Sequence, residues 1–298
     1  MDSNINLTSS YLDLSTLYGF NQDQQDMVRT KSDGLLKPDC FYDARLLGFP
    51  PAVAGLIIGL NRFHNSVVRD LASINEGGRF SLPNLQATEV MTRVTHPDLT
   101  EAQLAAVVKE NFDSAVEKRD NDLFQTGRLL SLHCFIISDC RVTCGLYINV
   151  VLGDYLRTIV AMNRTNDSWV LDPRAQGPDV YSHQGAPSGV GNQVSCEFNL
   201  IYRWHATLSQ IDEKWVGSFM EELFPGKDMG KISVDEFKLG LYKWAKTIDP
   251  DPSKRSVGGL KRNTNGEFDD AALVAILTAS TEDCAGTTLV FIANHSRI

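Results

Sequence analysis

From residue 52 to about residue 75 the apolar side chains Val53, Leu56, Ile57, Leu60, Phe63, Val67, Val68 and Leu71 recur at three- and four-residue spacing. That period fits one face of a long helix and no strand. An apolar face of this length has to be covered, so it commits the chain to helices packing on helices. Thr100-x-x-Gln103 forms a capping box ahead of Leu104, Val107, Val108 and Phe112, which predicts a short amphipathic helix ending near Glu117. Further helical patterns cover residues 215–223, 234–247 and 269–281, the last with Leu273, Ile276 and Leu277 on one face. Gly77-Gly78 is expected to end the first helix, and Asp249-Pro250-Asp251-Pro252 to stop the helix at 234–247. Residues 21–51 read as loop and short helix, and residues 163–191 as loop. A mainly α fold is expected, and 298 residues at 43% hydrophobic suffice for a core.

The net charge is −9, so no basic field exists to attract nucleic acid, and an anionic substrate would need local positive charge. The six cysteines are scattered without a Cys-x-x-Cys pair; Cys134, Cys140 and Cys144 lie closest together. With no signal peptide read at the N-terminus, reduced thiols in an intracellular compartment are expected, cytoplasmic or peripherally membrane-associated and not secreted. The sequon Asn163-Arg164-Thr165 is then unused. No apolar run approaches the roughly 20 residues of a membrane span. Attachment to a membrane or lipid-body surface through an amphipathic helix stays open, as does a homo-oligomer.

Glu197-Phe198-Asn199-Leu200-Ile201-Tyr202-Arg203-Trp204-His205 carries the strongest chemical candidate. On a helix Tyr202 and His205 share a face, which suits a metal held by imidazole with a redox-active phenol beside it. It also suits an ordinary amphipathic helix with a core histidine. Ser9, Tyr11, Asp13 and Ser15 alternate at a spacing of two, which in an extended loop aims oxygens to one side for a hard cation; a polar turn fits equally. His64 falls on the long helix and is read as structural. His133, Cys134 and Cys140 match no common zinc spacing. Gly230-x-Ile232-Ser233-x-x-Glu236-Phe237 looks like half an EF-hand loop, but Pro225, Lys227 and Met229 stand where carboxylates belong. Gly258-Gly259 with Lys254, Arg255, Lys261 and Arg262 is read as a solvated basic loop in preference to an anion contact.

Glu-Phe-Asn-x-x-Tyr-Arg-Trp-His at 197–205 resembles the proximal haem segment of the fungal fatty-acid (linoleate) dioxygenases, the linoleate diol synthase and psi-factor-producing oxygenase family, within the animal haem peroxidase superfamily. In the same order, Ser9-Ser10-Tyr11-Leu12-Asp13-Leu14-Ser15-Thr16-Leu17-Tyr18-Gly19, Lys37-Pro38-Asp39-Cys40-Phe41 and Arg45-Leu46-Leu47-Gly48-Phe49-Pro50-Pro51 are similar to that family. So are Asn61-Arg62-Phe63-His64-Asn65 and Asp120-Asn121-Asp122-Leu123-Phe124-Gln125-Thr126-Gly127-Arg128-Leu129.

The resemblance implies a haem-peroxidase (cyclooxygenase-like) helical domain, incomplete at both ends. Residues 1–298 form one partial domain, with insertions near 81–119 and 131–141 and no haem-thiolate (cytochrome P-450-like) domain. It implies haem b with His205 as the axial iron ligand. Tyr202 becomes the radical that takes hydrogen from linoleate or a similar unsaturated fatty acid, with dioxygen and a hydroperoxide as co-reactants in oxylipin formation. It also implies calcium on Ser9, Asp13 and Ser15, with Tyr11 giving its backbone carbonyl. The family's distal histidine precedes the calcium loop, where residues 1–8 carry none. The competing expectation is therefore a truncated, inactive fragment or a degenerate family member.

Overall fold

The computed structural model describes residues 13–138 and 209–279, with side chains given only to Leu132 in the first stretch. Compactness divides the chain into one unit of residues 1–13 and 131–201 and another of residues 14–130 and 202–298. The described residues belong almost wholly to the second. They contain eight α-helices: α1 (Ser15–Tyr18), α2 (Gln22–Val28), α3 (Pro51–Ile74), α4 (Leu85–Thr95), α5 (Glu101–Ser138), α6 (Gln210–Leu223), α7 (Val234–Ala245) and α8 (Asp270–Leu277). Among the described residues β-pairing is confined to three isolated bridges. The fold is mainly α, and no described helix is long and apolar enough to cross a membrane.

Helix α3 starts where the sequence places it, with Pro51 in the first turn, where its missing N–H costs nothing. Its end differs slightly. Asn75 adopts the left-handed conformation at φ 42° and closes the helix before Gly77 and Gly78 are reached. The asparagine is held there because its Oδ1 accepts from Phe80 N at 2.7 Å and its Nδ2 donates to Ser81 Oγ at 2.8 Å. Gly77 and Gly78 form the short 3-10 turn that follows.

The buried face of α3 is not the one hydropathy selects. It runs through Ala54, Ile57, Ile58, Asn61, His64, Asn65 and Val68, while Val53, Leu56 and Phe63 are exposed. Three polar residues sit inside because residues 34–40 cross the core without regular structure, and buried backbone groups must be paired. Asn61 Nδ2 donates to the carbonyls of Lys37 at 3.0 Å and Cys40 at 2.8 Å. Asn65 bonds both backbone groups of Leu36, accepting from N at 2.8 Å and donating to O at 3.1 Å. His64 Nε2 meets the Gly34 carbonyl at 3.0 Å.

The same logic corrects the reading of the basic loop. Arg255 is buried, and its guanidinium donates to the carbonyls of Asp249, Pro250, Phe41 and Tyr42. Arg262 donates to the carbonyls of Arg255, Pro38, Asp39 and Gly266. Both tie residues 249–266 to residues 38–42; only Lys254 and Lys261 face solvent. Beneath them Asp39 accepts from Arg62 Nε at 2.7 Å and from Phe268 N at 2.6 Å, joining α3 to the start of α8.

Helix α5 is also longer than its sequence suggests. The Thr100–Gln103 box forms, with Thr100 N donating to Gln103 Oε1 at 3.0 Å. The helix does not stop near Glu117, however, but extends 38 residues to Ser138. No proline lies between 101 and 138, and Gly127 is the sole glycine there. Residues 131–138, expected to fall in an insertion, continue this helix. At α7 the half EF-hand pattern resolves into a capping box: Ser233 and Glu236 cap one another, and Glu236 also meets Lys227 Nζ at 2.8 Å.

Candidate functional site

Of the residues singled out for chemistry, Tyr202, His205, Ser9 and Tyr11 lie outside the described residues. Asp13 and Ser15 are within them. Leu14 between them is left-handed at φ 54°, and Ser15 already begins α1. The extended alternation expected across the calcium loop therefore breaks at its last two members. A carboxylate and a hydroxyl flanking a tight bend are still hard oxygen donors of the kind calcium takes.

The described chemistry concentrates around His64, which is fully buried. Its two ring nitrogens face Tyr18 Oη and the Gly34 carbonyl, each at 3.0 Å. A carbonyl can only accept, so Nε2 carries the hydrogen and Nδ1 accepts from the tyrosine hydroxyl. Phe124 packs edge-on to Tyr18 at 5.8 Å and tilted against the imidazole at 5.3 Å. Burial pushes the His64 pKa down to about 4, the nearby Arg29 charge adds to that, and the Gly34 bond partly opposes it. The ring is neutral at pH 7 and both nitrogens are engaged, so it is a joint between α1, α3 and residue 34 and not a free ligand.

A second layer holds Gly34 from the other side. Asp120 Oδ1 accepts from Gly34 N at 2.6 Å, while Oδ2 meets Arg29 Nη2 at 2.6 Å, with both side chains buried. The Arg29 guanidinium lies over the Phe124 ring, 4.1 Å from its centroid. Gly34 needs its lack of a side chain: it has φ +72°, and a Cβ would stand 2.6 Å from Phe124 N. Gly127 packs as closely, since a Cβ there would lie 2.4 Å from Val68 Cγ2 and 3.1 Å from His64 Cε1. Gly127→Ala should therefore overpack the joint and cost about 1–3 kcal/mol. Thermal unfolding checks this, and an unchanged midpoint would refute the close packing.

Sequence reasoning saw Tyr18, Asp120 and Gly127 only as letters within resembling segments. The signal available was that Asn61, His64 and Asn65 interrupt an otherwise apolar helical period. It also missed the face Trp215, Ser218, Phe219 and Glu222 of α6, whose i, i+3, i+4, i+7 spacing was readable. The first turn of α6 is fixed by a buried capping box in which Ser209 N donates to Asp212 Oδ2 at 3.1 Å. The other carboxylate oxygen of Asp212 reaches Ala52 N of α3 at 3.4 Å. The chain four residues beyond His205 is thus anchored on the first turn of α3.

By their architecture the described residues form a mainly helical body whose irregular segments are stitched by buried polar side chains. The chain is 48% identical to psi-producing oxygenase A of Aspergillus fumigatus over 285 residues, 96% of this chain and 23% of that protein. It is also 48% identical to linoleate diol synthase of Gaeumannomyces graminis over 294 residues, 99% of this chain and 22% of that protein. To linoleate 10R-lipoxygenase of Aspergillus fumigatus the identity is 46% over 284 residues, 95% of this chain and 22% of that protein. The chain is therefore a homologue of one segment of the fungal psi-producing oxygenases and linoleate diol synthases. It spans less than a quarter of the length of these relatives. No family model and no solved structure matches it.

Proposed function

We propose that the chain supplies the haem-holding and radical-forming segment of a fatty-acid dioxygenase acting on linoleate or a similar unsaturated acid. The observation that carries this reading is 46–48% identity, over 95–99% of this chain, to relatives named for linoleate oxygenation, combined with Tyr202 and His205 in the resembling segment. Two of the six histidines are set aside, His64 because both its nitrogens are engaged and His96 because it lies on the exposed end of α4; the choice of His205 among the rest comes from the resembling segment. The donor set fits haem, since a neutral imidazole is the common proximal ligand of haem iron.

When bound, the cofactor supplies reduction of a hydroperoxide and one-electron oxidation of a nearby phenol. His205 would hold the iron, and Tyr202, three positions earlier in the sequence, would be the phenol it oxidises. Tyr202 loses an electron and its phenolic proton, and its oxygen radical takes a hydrogen from a methylene of the fatty acid. Dioxygen adds to the carbon radical, and the peroxyl radical recovers a hydrogen from Tyr202 to give the hydroperoxide. Calcium on Ser9, Asp13 and Ser15, with the Tyr11 carbonyl, would brace the loop leading into α1.

Haem reconstitution tests the reading. The wild-type chain should give a Soret band that His205→Ala loses and His64→Gln keeps. In a preparation that takes up oxygen with linoleate, Tyr202→Phe should abolish uptake and leave the Soret band. A band indifferent to His205 would overturn the assignment.

A further inference from the structure

Trp215 and Phe219 lie one turn apart on α6 and stack at 4.9 Å with 13° between their planes. Trp244, near the end of α7, meets Phe219 edge-on at 5.0 Å and 76°. The three rings line a cavity of about 470 Å³. That volume falls within the roughly 300–1,000 Å³ of small-molecule sites. The two indoles are half-buried, whereas Phe219 is nearly closed off, so the tryptophans provide the available aromatic surface.

The charges lining this cavity are of both signs. Glu222 continues the α6 face one turn beyond Phe219 and makes no ion pair or hydrogen bond with any described residue. Lys254 has a single carboxylate within ion-pair range, Asp251, at 3.8 Å, and keeps 67% of its side chain exposed. Asp249 and Arg255 also line the cavity, but each is drawn into the backbone of residues 249–255. Next to Lys254 and Arg255, Gly258 and Gly259 form a tight turn at φ 55° and 79°, closed by Leu260 N donating to the Val257 carbonyl at 2.8 Å. Both are cavity residues, and their amides donate to no described residue.

Each part selects a chemistry. Indole faces attract organic cations, best those carrying apolar methyl groups that shed water easily. An unpaired carboxylate beside them adds to that attraction. Backbone amides of successive left-handed residues, with a lysine close by in sequence, form a concavity suited to a phosphate. A purely cationic ligand would leave Lys254 and the amides unanswered, and a purely anionic one would meet Glu222. A zwitterion satisfies both. We propose that this cavity binds a phosphocholine-type group, with its trimethylammonium against Trp215 and Trp244 beside Glu222 and its phosphate on Lys254 and the Gly258–Gly259 amides.

Calorimetric titration with phosphocholine, choline chloride and inorganic phosphate separates the parts. Phosphocholine should bind saturably, and either half alone about tenfold or more weakly, as expected when one of two charge contacts is lost. Glu222→Gln and Lys254→Gln, both exposed positions, should each weaken phosphocholine about tenfold with an unchanged circular dichroism spectrum. Lys231→Gln, on an 83% exposed lysine remote in sequence, should leave binding unaltered. Co-sedimentation with dioleoylphosphatidylcholine vesicles, competed by free phosphocholine and absent with dioleoylphosphatidylglycerol, would identify a lipid headgroup as the source. Binding of free phosphocholine without vesicle retention would identify a soluble ester. No saturable heat from phosphocholine, or equal affinity in the Glu222 and Lys254 variants, would overturn the site.

Discussion

Asp120→Ala is expected to remove about 3–5 kcal/mol of folding stability, the usual consequence of stripping one partner from a buried ion pair. That is a large share of the roughly 5–15 kcal/mol that holds a domain folded. The side chains of Arg29 and Asp120 are 3% and 6% exposed, so water cannot replace the lost carboxylate. The substitution also leaves Gly34 N without its acceptor at 2.6 Å, next to a glycine that no other residue can replace. The damage should come chiefly from the stranded guanidinium, not from the loss of attraction as such. Arg29→Met together with Asp120→Asn tests that distinction, because Met can still cover the Phe124 ring and Asn can still accept from Gly34. The double variant should recover more than half of what Asp120→Ala loses, read from urea unfolding followed by far-ultraviolet circular dichroism. A loss under about 1 kcal/mol, or no recovery, would contradict a buried pair of this kind.

Most of the longer helices were legible in the sequence, because period is a local property, although α4 was not foreseen. The apolar repeat from residue 52 located α3, and Ser233 with Glu236 marks the start of α7 although its letters look like half a calcium loop. What could not be read was which face of α3 turns inward. Hydropathy ranks a face by its apolar content, and by that measure Val53, Leu56 and Phe63 outrank Asn61, His64 and Asn65. The polar face wins because residues 34–40 carry backbone groups that only those side chains can pair, and those groups lie up to 30 positions away in sequence. Arg255 and Arg262 were misread for the same reason, as their carbonyl partners in residues 38–42 lie more than 200 positions away. The stopping point of α5 was missed because a capping residue announces a start, whereas nothing in residues 118–130 forces an end.

The segments that resemble the oxygenase family divide by what they do. Four of them meet at one place: Tyr18 from the first, Cys40 from the second beside Asn61, His64 and Asn65 from the fourth, and Asp120 to Gly127 from the one after it. Their letters therefore describe a scaffold, in which His64 is a joint and not a ligand. The segment at 197–205 lies outside the described residues, and its Tyr202 and His205 were found from spacing and resemblance. Four residues beyond that segment, Ser209 and Asp212 clamp the chain to the first turn of the same helix that carries His64.

That scaffold should be sensitive to acid in a window set by His64. An exposed histidine titrates near pH 6.5, whereas His64 in the folded chain titrates near 4 because burial disfavours its charged form. Between those values the unfolded chain takes up a proton that the folded chain refuses. Stability therefore rises with pH through the window and is lost as pH falls from 6.5 toward 4, with a slope approaching 1.4 kcal/mol per pH unit and a total of about 3 kcal/mol. Protonation would force Nδ1 to become a donor opposite the Tyr18 hydroxyl and would place a second cation near Arg29. His64→Gln separates this effect from the carboxylates that titrate at the lower end of the range. A glutamine can accept from Tyr18 and donate to Gly34 without titrating, so its urea midpoint should fall less steeply than the wild type's between pH 6.5 and 4. It should start lower at pH 7 because the ring contact with Phe124 is gone. Parallel pH profiles for the two proteins would mean that His64 charges as readily in the folded chain as in the unfolded one, and the buried Tyr18–His64 joint would have to be abandoned.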